Sequence, residues 1–160
     1  MPIKKLRNFS DNEIKAHLFV ALDQLFKNDA FLLKNKAHER STAHKLAEYL
    51  QRFFPSYHVD CEYNLRGINT KILLRKCNGE NKEKVFPDIV IHHRGCDDNL
   101  LVIEIKPSKS SNVDKCDDAK LIEFTKQTGD YKYQLGLFIG FNKLDKPQIV
   151  WYKNGKQEEE

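Results

Sequence analysis

The sequence lacks the glycine-rich signatures that cradle nucleotides. Neither GxxxxGK nor GxGxxG occurs, which excludes the usual phosphate cradles of P-loop and dinucleotide-binding proteins. No GxSxG elbow is present, so serine-hydrolase chemistry of the α/β type has no support. No run approaches the roughly 18 apolar residues of a membrane span, and MPIKKLRNFS has no apolar core of a signal peptide. Cys61, Cys77, Cys96 and Cys116 form no CxxC pair and have no His at zinc-ligand spacing. Four reduced thiols are therefore expected, and with them a cytoplasmic location. Repeats, low-complexity tracts and an evident linker are missing too.

What remains is an ordinary globular composition. The 160 residues are 40% hydrophobic and 31% charged, enough to build one domain around a core without staples. The formal net charge of +4 permits a nucleic-acid partner without demanding one.

Periodicity supplies the elements. Ser10 and Glu13 are spaced as a capping box, and Ile14, Leu18, Leu22 and Leu25 mark one face of a helix ending near Asn28. A second helix is expected from about Asn35 to Phe54, stopping before Pro55. Tyr57 to Tyr63 alternates as a strand, with Val59, Cys61 and Tyr63 on one face. Asn64 to Lys84 is rich in Lys and Arg, and its CNGENKEK portion reads as a turn or loop. Val85 to His93 and Leu100 to Lys106 are strands joined by RGCDDN. A helix over about Asp114 to Gln127 follows, then strands at Tyr133 to Phe141 and Gln148 to Tyr152. This order predicts an α/β or α+β domain around one mixed sheet.

The stretch VFPDIVIHHRGCDDNLLVIEIKPSK, Val85 to Lys109, carries the chemistry. Glu104 and Lys106 interrupt a run that otherwise reads as a buried strand. A charge there costs several kcal/mol unless it is paired or coordinated. Folding the stretch as a hairpin about Cys96 places Asp88 opposite Glu104, Val90 opposite Val102 and His92 opposite Leu100. Ile89, Ile91, Leu101 and Ile103 then share the other face. A one-residue slip would mix charged and aliphatic faces, so the pattern selects this register. Directly opposed carboxylates, with Cβ atoms about 4.5–5.5 Å apart, repel unless a proton or cation lies between them. Lys106, two residues beyond Glu104, projects from the same face.

Two acids and a lysine at one spot suit a divalent-metal site. Hard oxygen ligands favour Mg²⁺ or Mn²⁺, and Mg²⁺ commonly keeps waters beside one or two carboxylates. The plain structural alternative makes Glu104–Lys106 a strand-end salt bridge and Asp88 a turn residue after Pro87. Glu39 weighs against it, because at helical spacing it shares the stripe of Ala43, Leu46, Leu50 and Phe53. An acid that only stabilised the helix dipole could equally have been outside that stripe.

Glu39 in a helix, Pro87-Asp88 entering a strand and Glu104-Ile105-Lys106 ending the next resemble the PD-(D/E)xK nuclease superfamily. The similarity covers about Lys36 to Phe141, and HERSTAHKLAEYL, VDCEYN and DDNLLVIEIK resemble small bacterial proteins of this type. It implies a restriction-endonuclease-like core, with the helix Ser10 to Asn28 as an addition. Asp88 and Glu104 would be metal ligands with the Ile105 carbonyl as a third, Lys106 the catalytic lysine, and Glu39 a further ligand or supporting acid. The implied activity is hydrolysis of nucleic-acid phosphodiesters, of DNA first and RNA second, by metal-activated water.

Other residues rank below these. Arg40, Lys109 and Lys120 lie near the proposed site in sequence and could meet phosphates, and Arg66, Lys71, Arg75 and Lys76 offer a second basic stretch. His38, His44, His92 and His93 form no metal pair and suit surface or packing roles. Gln134 could reach the site from a neighbouring strand, although a simple polar face explains it as well. A restriction-like fold can also serve as a non-catalytic binding or assembly module within a larger system. A purely structural protein would have to explain the acid cluster without a cation. A homodimer is the expected assembly if both strands of a duplex are cut.

Overall fold

A computed structural model of the chain describes residues 8–35, 39–63, 65–66, 69–70, 72–73, 83–84, 87–107, 113–141 and 146–159. Helix α1 spans Asp11–Asn28, and its start is fixed by a reciprocal cap. The Glu13 amide donates to Ser10 Oγ at 3.1 Å, while the Ser10 amide donates to the Glu13 carboxylate at 3.3 Å. Ile14, Leu18, Leu22 and Leu25 are buried along one stripe. A short helix α2, Ala30–Lys34, follows, which no sequence signal marked as separate. Helix α3 is Glu39–Phe53, within the helix expected from about Asn35 to Phe54; Asn35 closes α2, and residues 36–38 lie outside the described residues.

Strand β1 is His58–Cys61. The alternation expected through Tyr63 breaks at Glu62, whose φ of 51° is in the left-handed region. Cys61 is exposed and Tyr63 packs on the other side of the sheet. The basic segment then forms two short antiparallel ladders, β2 Leu65–Arg66 with β3 Asn69–Thr70 and β4 Ile72–Leu73 with β5 Glu83–Lys84. Strands β6 Ile89–His92 and β7 Asn99–Pro107 form the hairpin. Helix α4 Lys115–Thr125, β8 Leu135–Phe141, β9 Gln148–Lys153 and β10 Lys156–Gln157 complete the order.

The principal sheet runs β1-β6-β7-β8-β9-β10. Its pairs are antiparallel except β7–β8, which is parallel and spanned by α4, as parallel neighbours require a crossover. Helices lie on both faces, giving a mixed α+β architecture in three layers. Ile89, Ile91, Leu101, Ile103 and Ile105 turn towards α1 and α3, where Leu18, Leu46 and Leu50 meet them. Val90, Val102, Phe138 and Tyr152 turn towards Leu121 and Phe124 of α4. Burial from both sides explains why Leu100 to Ile103 read as a continuous apolar run.

The hairpin register pairs Ile89 with Ile103, Val90 with Val102 and Ile91 with Leu101. A bulge between Ile91 and His92 then shifts the ladder, so His92 faces Asn99 and the expected pairing with Leu100 is corrected. Such bulges bend a strand at its end while leaving the rest of its register intact. Cys61 and Cys96 are free thiols, but Cys116 is disulfide-bonded. The expectation of four reduced cysteines is corrected at Cys116, and Cys77 lies outside the described residues. No helix among the described residues is long and apolar enough to cross a membrane.

Candidate active site

The site occupies the α4 face of the sheet, where β6 begins and β7 ends. Asp88 immediately precedes β6, and the Ile89–Ile103 pair sets Glu104 across from it. The Asp88 carboxylate accepts the Ile105 amide proton at 2.6 Å, which ties it to the partner strand. The Asp88 carboxyl also lies close enough to act electrostatically on Glu104. Glu104 is 5% exposed; burial first, and then the Asp88 charge, hold its carboxyl well above the usual range. Glu104 Oε1 is buried and has no hydrogen-bond partner among the described residues.

Lys106 shares the Glu104 face, as the two-residue period requires. Its ammonium is ion-paired with Asp114 and stands 3.4 Å from Asp117 Oδ2. These contacts, the Asp114 hydrogen bond foremost, raise its affinity for the proton. Lys106 thus pairs with the first turn of α4, which argues against the simple Glu104–Lys106 strand-end bridge. Asp114 caps α4 through the Asp117 amide at 2.8 Å. Asp117 is 7% exposed, and burial followed by the Asp114 charge raises its carboxyl above the ordinary value. Its Oδ2 has no hydrogen bond, because the Lys106 contact lacks the geometry of one.

Asp114 and Asp117 were missed as site residues. The available signal was their spacing at the start of a helix just after the Glu104-Ile105-Lys106 motif. Lys120, one turn beyond Asp117, bears electrostatically on both Glu104 and Asp117. This sets it near the carboxylates of the site.

The other expected residues divide clearly. Glu39 starts α3, on the layer opposite Glu104, and its side chain lies outside the described residues. Arg40 Nε pairs with the Glu62 carboxylate at 2.8 Å. Ile105 contributes its amide to Asp88 while its side chain packs on the α1–α3 face. Lys109, Lys71, Arg75, Lys76 and His38, together with the Arg66 side chain, lie outside the described residues. Gln134 is drawn away from the site, donating to the Phe9 carbonyl at 2.9 Å and the Asp11 carboxylate at 2.8 Å. His44 is exposed. His92 joins Asp60 at 2.8 Å, and His93 is held between Asp98 and the Ser56 carbonyl, both at 2.7 Å.

The residues present fit a hard divalent cation. A buried carboxyl faces a half-buried one, one Glu104 oxygen lacks a partner among the described residues, and all candidate donors are oxygens suited to Mg²⁺ or Mn²⁺. Among the described residues no three His, Cys, Asp or Glu side chains form a metal-holding group. A cation bound here would therefore keep waters as part of its shell. Compared with family models and with curated proteins, the sequence matches neither.

Proposed function

We propose that the chain is a metal-dependent nuclease of the PD-(D/E)xK type, hydrolysing phosphodiester bonds in DNA or, secondarily, RNA. One observation carries the reading: buried Glu104, its Oε1 unpartnered among the described residues, faces half-buried Asp88 on the strand that also carries Lys106. A protein gains nothing in stability from a buried carboxyl facing a second, half-buried one. A cation that both of them bind would make the arrangement favourable. The order α3, β1, hairpin β6–β7, α4, β8 supports a restriction-endonuclease-like core.

Asp88 and Glu104 would hold the ion, joined by the Ile105 carbonyl as the resemblance implies; Glu39, which the resemblance adds, starts a helix on the opposite layer. When bound, the ion offsets phosphate charge and makes a water more acidic. Lys106, on the same strand face as Glu104, would supply the positive charge that orients the attacking water or stabilises negative charge developing on the phosphate. Lys120 adds a second cation near the same acids. A single site cuts one strand, so cleavage of a duplex would use two copies of the chain or two successive events.

The test is nicking of supercoiled and linear DNA, with RNA in parallel, in Mg²⁺, Mn²⁺ and EDTA. Cleavage should require metal, and Lys106→Ala should lower the rate by about 10²–10³ while metal binding persists. Wild-type protein that binds DNA but cuts nothing in either metal would identify a non-catalytic binding or assembly module.

A further inference from the structure

We propose that Asp114 is the positioning residue for Lys106, with Asp117 as the second arm of the same clamp. The inference rests on the reading of Lys106 as the lysine of a nuclease site. A lysine ammonium ends a flexible four-carbon stem and is costly in rotamer entropy to hold in one place. Lys106 is a third exposed and lies near the end of its strand, so the strand alone does not fix its head group.

The first turn of α4 supplies what the strand lacks. Asp114 uses both carboxylate oxygens: Oδ1 accepts the Asp117 amide proton at 2.8 Å and Oδ2 pairs with Lys106. The helix cap therefore locks the orientation of the carboxylate that holds the lysine. Asp117 approaches from the sheet-facing side of the same turn, its Oδ2 3.4 Å from the ammonium. Burial of Asp117 prevents it from turning to solvent, so the lysine is held by two acids of the same helix turn. Charges alternate through the cluster, from Asp88 and Glu104 to Lys120, Asp117, Lys106 and Asp114. Each lysine thus faces acids that limit where its head group can settle.

Asp114 has two roles that substitution can separate. Asp114→Asn keeps a good helix cap but loses the charge that holds Lys106. Turnover at saturating DNA should fall about 10–100-fold, the usual effect of losing a partner that orients a functional group. KM for DNA and the Mg²⁺-induced rise in melting temperature should stay near wild type. Asp114→Glu, which restores the charge, should recover part of the loss. In a Lys106→Ala background, Asp114→Asn should cost nothing further, because the two residues act as one unit. Wild-type turnover in Asp114→Asn, or a full additional loss in the double variant, would overturn the proposal.

If wild-type protein cuts nothing, the nuclease reading fails and the clamp is judged by a different signal. The ¹⁵N-labelled Lys106 ammonium should give a resolved side-chain NMR resonance in wild-type protein, and Asp114→Asn should broaden it away. A resonance unchanged in Asp114→Asn would refute the clamp independently of activity.

Discussion

Replacing Glu104 by Gln should make the metal-free protein more stable, the opposite of what a structural salt bridge predicts. Glu104 is buried, lacks a partner at Oε1, faces Asp88 and is not the acid that pairs with Lys106. Its carboxyl is raised above the unfolded value, so protonation stabilises the folded state. That contribution is complete below the unfolded value of about 4.3 and is lost as pH rises through the folded value. At pH 8 in EDTA, wild-type protein therefore bears the cost of a badly solvated buried acid, and Gln does not. A buried unsatisfied group costs about 1–3 kcal/mol, and each kcal/mol moves the midpoint of a chain this size by about 2–4 °C. The expected rise is roughly 2–12 °C, and the pH dependence of wild-type stability between 5 and 8 should flatten. Metal should have the reverse ranking. At one hundred times its dissociation constant an ion stabilises by about 2.7 kcal/mol, a response wild type should show and Glu104→Gln should largely lose. Differential scanning calorimetry in EDTA and in Mg²⁺ measures both. A Glu104→Gln midpoint below wild type in EDTA, or equal metal responses, would refute the reasoning.

Two further predictions address the rest of the fold. Burial alone would raise the Asp60 carboxyl, but hydrogen bonds from Arg94 and His92 outweigh it and leave the value lowered. Its stabilising effect is then present above the unfolded value of about 3.9 and lost as pH falls through the folded value. The stability gap between wild type and Asp60→Asn, measured by urea titration, should close in acid; a gap undiminished at pH 2 would contradict this. Gly136→Ala would put a Cβ 2.9 Å from Thr125 Cγ2 and 3.3 Å from Leu121 Cδ2, a clash in the interface of α4 with β8. Overpacking of this kind costs about 1–3 kcal/mol, and an unchanged thermal midpoint would show that α4 shifts to accommodate it.

The sequence determined the local elements and one register. Ser10 and Glu13 marked the start of α1 because a capping box is satisfied within four residues. The aliphatic set Ile89, Ile91, Leu101 and Ile103 fixed the pairing of β6 with β7, because a single slip would have buried charge. Asp88, Glu104 and Lys106 could be placed on one region of that hairpin for the same reason. Features without a periodic signature were not legible. Glu62 reverses the face of the chain through one backbone angle, and the bulge at Ile91/His92 changes the pairing without changing the apolar pattern. Tertiary structure alone decided which helix attends the acids. The α3 stripe of Ala43, Leu46 and Leu50 packs on the aliphatic face, whereas α4 brings Asp114, Asp117 and Lys120 to Glu104 and Lys106. Sequence spacing sets the direction of a side chain within its own element. Only the packing of α4 across the β7–β8 crossover sets which distant charges it meets.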